Sequence, residues 1–315
     1  MSQRPATMTS HAVMFHHFND ELHPPGQGSL TGKQFEEMLD WLTERHTILD
    51  AEEFMWRTDT GCLRDNDICL SFDDALLCQV DIAVPILDKR NIKAFFFVYS
   101  SPFYDDPDPL EIYRYFRTVV FDDVNAFYSE FFAEAERVLG ERYILAKVEF
   151  NPDEYLNAFP FYSDSDRWFR YLRNMTLTKS EYDVINSGMM ASHGFDRRTA
   201  IEKLWMTESQ LVSLFAAGHK IGLHSFSHPT MIHELPPHDQ IQEYRRNFDH
   251  LTSVLGEAPD SMSHPCGNYS SWSLAALREL GIRIGFRSNY AITEIRSNLE
   301  VPREDSTNLL NAMQL

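Results

Sequence analysis

Two short stretches hold residues whose types and spacing could do chemistry. In IGLHSFSHPT, His224 and His228 stand four apart, and in ICLSFDDALL, Asp73 and Asp74 are adjacent. Two imidazoles and a carboxylate are a common ligand set for a divalent ion that keeps open positions for water and substrate. On that reading Asp74, His224 and His228 bind the metal. Asp73 stands beside it as general base, taking a proton from water acidified by the ion. Read alone, the histidine pair also fits two polar residues of a turn, and the aspartate pair fits a helix cap.

The elements that must position these residues decide between the readings. Apolar runs at 12–15, 68–72, 93–98, 220–223 and 282–286 read as buried strands. Helical patterns separate them, with capping boxes at Thr31/Gln34 and Thr207/Gln210 and glycine stops at Gly218, Gly256 and Gly281. Near-continuous apolar strands alternating with helices imply a parallel sheet buried on both faces, hence an α/β barrel or a doubly wound sheet. In such folds ligands bind at the C-terminal strand ends. Asp73-Asp74 and His224 each follow a strand directly, and that shared position favours the metal site.

Composition narrows the partners. With 28 basic and 47 acidic residues the net charge is −19, which argues against nucleic acid and anionic membranes as partners. No apolar run is long enough for a membrane span. The N-terminal residues do not read as a secretory signal, so the sequence leads us to expect a cytoplasmic protein. Cys62, Cys69, Cys78 and Cys266 have neither the density nor the spacing of a disulfide scaffold. Residues 100–205 look helical and aromatic without strand alternation, and read as an insertion in a single domain spanning 1–315. Within it, Trp168, Phe169 and Tyr171 fit a core better than a sugar platform.

SFDDA, HSFSH and SHPCGNYS, in that order, resemble the three motifs of the polysaccharide deacetylase family, also called the NodB-homology or carbohydrate esterase 4 family. DIAVPILDKRNIKAFFFV resembles the segment that follows the family's first motif. The resemblance covers roughly residues 10 to 100 and 205 to 305. It implies a distorted (β/α)7-type barrel with a largely helical insertion, and a metal-dependent hydrolase removing an N-acetyl or other N-acyl group from a sugar or sugar precursor. By the same resemblance Asp73 is the catalytic base. Asp74, His224 and His228 bind a divalent ion, most readily zinc, with nickel, cobalt or iron as alternatives. The backbone N–H of Cys266 helps to form the oxyanion hole.

The chain departs from the family in several places. No arginine stands in its third motif, and no histidine follows Gly267. A subset of the family begins with Tyr-His on the first strand; aligning VMFHHF on it makes His16 the general acid, with His17 the nearest rival. Arg303, in VPRED, resembles a late Pro-Arg of that subset and is the candidate to replace the missing arginine. Ala75 stands where the family usually has glycine, which would crowd a turn of positive φ. A same-fold hydrolase of a non-sugar cyclic amide and a non-catalytic glycan-binding relative are the competing readings. The insertion is expected to form a lid over a small N-acylated sugar-like substrate or a homo-oligomer contact.

Overall fold

The structure is a computed structural model that describes residues 10–104, 107–157, 162–288 and 295–313. Two compact units make up the chain. The first joins residues 1–108 to 205–315, and the second is 109–204.

The first unit is built on seven strands: β1 His11–Phe15, β2 Asp67–Asp73, β3 Phe95–Val98, β4 Lys220–Leu223, β5 Ser261–Ser263, β6 Ile284–Phe286 and β7 Arg303–Asp305. They pair in the order β7-β1-β2-β3-β4-β5-β6, all parallel, and the short strand Thr47–Ile48 pairs beside β2. The ring is nearly closed by the segment entering β7. Val301 bridges Phe286 on one edge, while the Pro302 carbonyl accepts a hydrogen bond of 3.0 Å from Ala12 N–H on the other. This is the expected α/β barrel.

Side-chain alternation sorts β1 to β3 into two faces. Phe15, Phe72 and Phe96 face outward, with Phe15 and Phe72 stacked at 5.2 Å and Phe72 and Phe96 at 4.8 Å. Phe35, on the buried face of helix Gly32–Thr43, packs edge-on against Phe15. Cys69, Phe95, Phe97, Ile284 and Phe286 form one buried cluster inside the barrel. Two and four residues beyond Cys69 on β2, Ser71 and Asp73 take the same interior face. The barrel is therefore apolar at its base and polar at the C-terminal strand ends.

Both capping boxes form, Thr31 with Gln34 and Thr207 with Gln210, and Gly256 ends helix Pro237–Leu255 in a left-handed turn. The buried face of that helix differs from the stripe its apolar residues trace (Ile241, Tyr244, Phe248, Leu251, Leu255). Gln240, Tyr244, Asn247, His250 and Leu251 are the buried residues. The face is rotated because three polar side chains find partners inside, and a satisfied hydrogen bond offsets the cost of burying an amide. Asn247, for example, donates to the Val98 carbonyl at 2.9 Å and to Ser100 Oγ at 2.7 Å.

The second unit is helical, with helices Leu110–Val120, Val124–Leu139, Glu141–Glu149, Asp164–Tyr171, Lys179–Ser192 and Arg197–Leu204. Its core is aromatic: Phe127, Tyr128, Phe131 and Phe169 pack together, with Phe131 and Phe169 edge-to-face at 4.8 Å. Trp168 and Phe169 are buried, which makes them core residues as expected. Ser100 to Asp108, inside the expected insertion, lie in the first unit, where Ser100 and Ser101 N–H groups donate to the Phe226 carbonyl.

Two stability predictions follow from the barrel. A Cβ on Gly222 would lie 2.6 Å from the Ser261 carbonyl oxygen and 2.8 Å from Phe97, contacts that rigid strands cannot relieve. Gly222→Ala should therefore lower the unfolding free energy by about 1–3 kcal/mol, read from urea midpoints; an unchanged midpoint would show that the strands yield. His219 accepts the Ala94 N–H on Nδ1 at 3.1 Å. Burial, helped by nearby Lys93, pushes its pKa from 6.5 down to about 4. The unfolded chain then takes up this proton first, so stability present above about pH 6.5 is lost on descending towards pH 4. The drop in urea midpoint between pH 7 and pH 5 should be smaller in His219→Asn, whose amide oxygen can accept the same hydrogen bond.

Candidate metal centre and active site

Asp73 is the last residue of β2 and points into the barrel. Adjacent residues of a strand would face opposite ways, yet Asp74 reaches the same site because the strand has ended. Asp74 and Ala75 have φ of 76° and 53°. Ser225 and His228, after β4, and Cys266, after β5, also have positive φ, at 63°, 55° and 52°. Five of the seven non-glycine residues of positive φ among the described residues thus lie on the loops around one barrel mouth. Such backbone costs of order 1–3 kcal/mol per residue and persists where the surroundings enforce it. Ala75 does occupy a left-handed position, as its alignment with glycine implied.

Asp74, His224 and His228 are all buried, and one ligand atom from each lies within 4.8 Å of the others. Both imidazole Nε2 atoms stand 3.5 Å from Asp74 Oδ1. His224 Nδ1 lies 2.9 Å from the Ser263 carbonyl, which can only accept. Nδ1 therefore carries a proton, which leaves Nε2, beside Asp74, as the nitrogen available to a metal. Anchoring of a ligand imidazole through its other nitrogen is a usual feature of metal sites. One carboxylate oxygen and two imidazole nitrogens fit a borderline divalent cation such as zinc, nickel, cobalt or iron.

Asp73 is held differently. Arg303, fully buried on β7, meets it with both terminal nitrogens, Nη1 to Oδ1 and Nη2 to Oδ2, each at 2.7 Å. Ser263 Oγ donates to Asp73 Oδ1 at 3.3 Å and lies 2.7 Å from His224 Nδ1, so one hydroxyl links Asp73 to His224. Burial pushes the Asp73 carboxyl up, but Arg303 and then His224 outweigh it, and its pKa lies below the ordinary value. Asp74 is held well below it, burial being overcome chiefly by His228 and His224. Conversely, burial alone would lower His224, yet Asp73 and Asp74 raise it. With one of two carboxylates neutralised by Arg303, the trio is left with the negative potential a cation needs.

His16 follows β1 and places Nε2 3.8 Å from Asp73 Oδ2, with its side chain 31% exposed. His17 sits at the start of the short pairing of Phe18–Asn19 with Leu30–Thr31, where its carbonyl accepts from Leu30 N–H. Cys266 lies in the turn Pro265–Gly267 directly after β5.

Three positioning residues escaped the sequence reading. Ser263 is one. Gln79, fully buried, donates Nε2 to the carbonyls of His16 at 2.9 Å and Asp73 at 2.6 Å, bracing two strand ends together. Asn247 accepts the His224 N–H on Oδ1 at 2.9 Å. A polar residue among apolar ones on a helix face was the available signal for Gln79 and Asn247.

Residues 176–285 match the family model described as polysaccharide deacetylase. The chain resembles the polysaccharide deacetylases. That match contains His224, His228 and Cys266, and leaves Asp73, Asp74, His16 and Arg303 outside it. No curated protein matches the chain. Among solved structures it resembles deacetylase PplD of Streptococcus pyogenes, in complex with acetate, at 14% identity and a TM-score of 0.54, covering 98% of each chain. A de-N-acetylase from Aggregatibacter actinomycetemcomitans gives 14% and 0.55, covering 93% of each. IcaB from Ammonifex degensii gives 14% and 0.55, covering 97% of this chain and 96% of the other. At such identity the likeness to polysaccharide deacetylase structures establishes a shared fold. No helix among the described residues is long and apolar enough to cross a membrane.

Arg303→Met leaves Asp73 as a buried charge without its guanidinium, and should cost about 3–5 kcal/mol of stability. Adding Asp73→Asn should recover much of that loss in a urea double-mutant cycle. Additive losses would show that the two side chains act independently.

Proposed function

We propose that this protein is a metal-dependent deacetylase that removes the N-acetyl group of an amino sugar. The observation that carries the reading is the buried trio Asp74, His224 and His228 with an arginine-clamped carboxylate beside it. Asp74, His224 and His228 would hold a divalent cation, which when bound would supply Lewis acidity towards the acyl carbonyl and the attacking water.

The chain's own residues do the rest. Asp73 accepts the proton of the attacking water, and Arg303 keeps it ionised and fixes its plane, as a base needs. Cys266 N–H donates to the oxygen that gains charge as the carbonyl becomes tetrahedral. His16, at the exposed edge of the site and close to Asp73, hands a proton to the departing amine; imidazole suits the task because it titrates near working pH. Collapse of the tetrahedral carbon then breaks the C–N bond and releases acetate and the free amine.

Elemental analysis should find near-stoichiometric metal in wild type and none in His224→Ala. Acetate release from N-acetylglucosamine and its oligomers should fall about 10²–10⁴-fold in Asp73→Asn, as for loss of a general base, with metal content kept. A protein that takes up no divalent metal on titration would defeat this reading.

A further inference from the structure

Two of the polar residues buried on helix Pro237–Leu255, Asn247 and His250, stand three apart and so share one face. Buried polar groups need partners inside the protein. Theirs form a chain of hydrogen bonds that runs from a candidate metal ligand, His224, to the protein surface, and the proposed chemistry gives His250 no part.

The links of this chain have fixed directions. His224 N–H can only donate, and it reaches Asn247 Oδ1 at 2.9 Å. The Val98 carbonyl can only accept, and Asn247 Nδ2 reaches it at 2.9 Å. Two one-way partners thus fix which way the amide of Asn247 points. Its remaining hydrogen goes to Ser100 Oγ at 2.7 Å. Ser100 is fully buried, and among the described residues the acceptor left for its own hydrogen is His250 Nδ1, at 2.8 Å. An imidazole that accepts on Nδ1 carries its proton on Nε2, which meets Glu208 Oε1 at 3.2 Å. There the chain reaches solvent: the side chain of His250 is 6% exposed and that of Glu208 53%.

The His250 ring is held in place from the side as well. Phe103 and Tyr104, which follow β3, pack on it with ring centroids 5.2 Å and 5.5 Å away. Without the imidazole the Ser100 hydroxyl would be a buried donor lacking an acceptor, a cost relieved when the hydroxyl turns away and gives up its bond from Asn247. Asn247 is what holds the main chain of His224, while Ser263 anchors the imidazole through Nδ1. Both ends of one ligand residue therefore have their own support.

We propose that His250 is a positioning residue of the metal centre: through Ser100 and Asn247 it holds the main chain of His224 where the imidazole can take a metal. The proposal rests on the reading of Asp74, His224 and His228 as metal ligands.

The test compares zinc affinity, by competition with a chromophoric chelator, in the full chain as wild type, His250→Phe and His250→Asn. Phenylalanine keeps an aromatic ring against Phe103 and Tyr104 but offers the Ser100 hydroxyl no acceptor. Asparagine keeps an acceptor near the place of Nδ1. His250→Phe should weaken zinc binding by about 10–100-fold, as loss of an outer partner of a ligand does, and His250→Asn should recover most of that loss. In the metal-free protein, hydrogen exchange at the His224 amide should quicken in His250→Phe and return towards wild type in His250→Asn. Amides of β2 should keep their protection throughout, which separates lost positioning from general loosening. Ser100→Ala breaks the chain at its middle and should weaken zinc binding in the same way if His250→Phe does not fold. Unchanged zinc affinity in the variants, a loss that His250→Asn does not recover, or exchange quickened equally across the barrel would each overturn the proposal. A wild type that takes up no zinc or other divalent metal would defeat the metal-centre reading and this proposal with it, whereas unchanged affinity in variants of a zinc-binding wild type defeats this one alone.

Discussion

The bidentate pair of Arg303 with Asp73 is the interaction on which the barrel mouth depends. Both side chains are buried, so each ion has lost its water and must be compensated by the other. The pair ties β7 to β2 across β1, and Arg303 Nε also donates to the Arg287 carbonyl at 3.1 Å just past β6. One guanidinium thus links three strands of the ring at the point where the sheet closes. The same contact that closes the ring helps to hold the Asp73 carboxyl below its ordinary pKa against the effect of burial.

Around that pair the site is organised by backbone conformation as much as by side chains. Asp73 and Asp74 converge because the chain leaves the strand through two left-handed residues; an extended backbone would have turned them apart. His228 and Cys266 are aimed by the same device. These conformations are held by neighbouring hydrogen bonds. Glu243, for instance, accepts the N–H groups of Phe226 and Ser227 at 3.0 Å and 2.8 Å, fixing the loop between the two histidines.

Much of this was legible in the sequence, for identifiable reasons. Parallel strands announce themselves as short apolar runs because both of their faces are covered, and capping boxes mark helix starts because the unpaired N–H groups need those side chains. The grouping of Asp74, His224 and His228 was readable because Asp74 and His224 directly follow strand ends. What stayed hidden depends on long-range pairing: nothing local in VPRED says that its arginine meets an aspartate 230 positions earlier, and only a family resemblance suggested it. Ser263 was silent for a similar reason, since serine is common everywhere and acquires meaning only from what packs against it. On helix Pro237–Leu255 the apolar stripe even misdirects, because the polar residues beside it are the ones that reach the site.

The closing segment has a consequence for how the protein is made. Val301, Pro302 and Arg303 join the two open edges of the sheet, and ribosomes deliver them after the other six strands of the ring. Until they emerge, a nascent barrel has unpaired edges on β1 and β6 and a carboxylate at its mouth with no guanidinium to meet. Closure and charge compensation must then occur together, once the last strand of the ring has been synthesised. A product of premature termination lacks both at once, so it is left open and uncompensated, a substrate for quality control rather than a partly active enzyme.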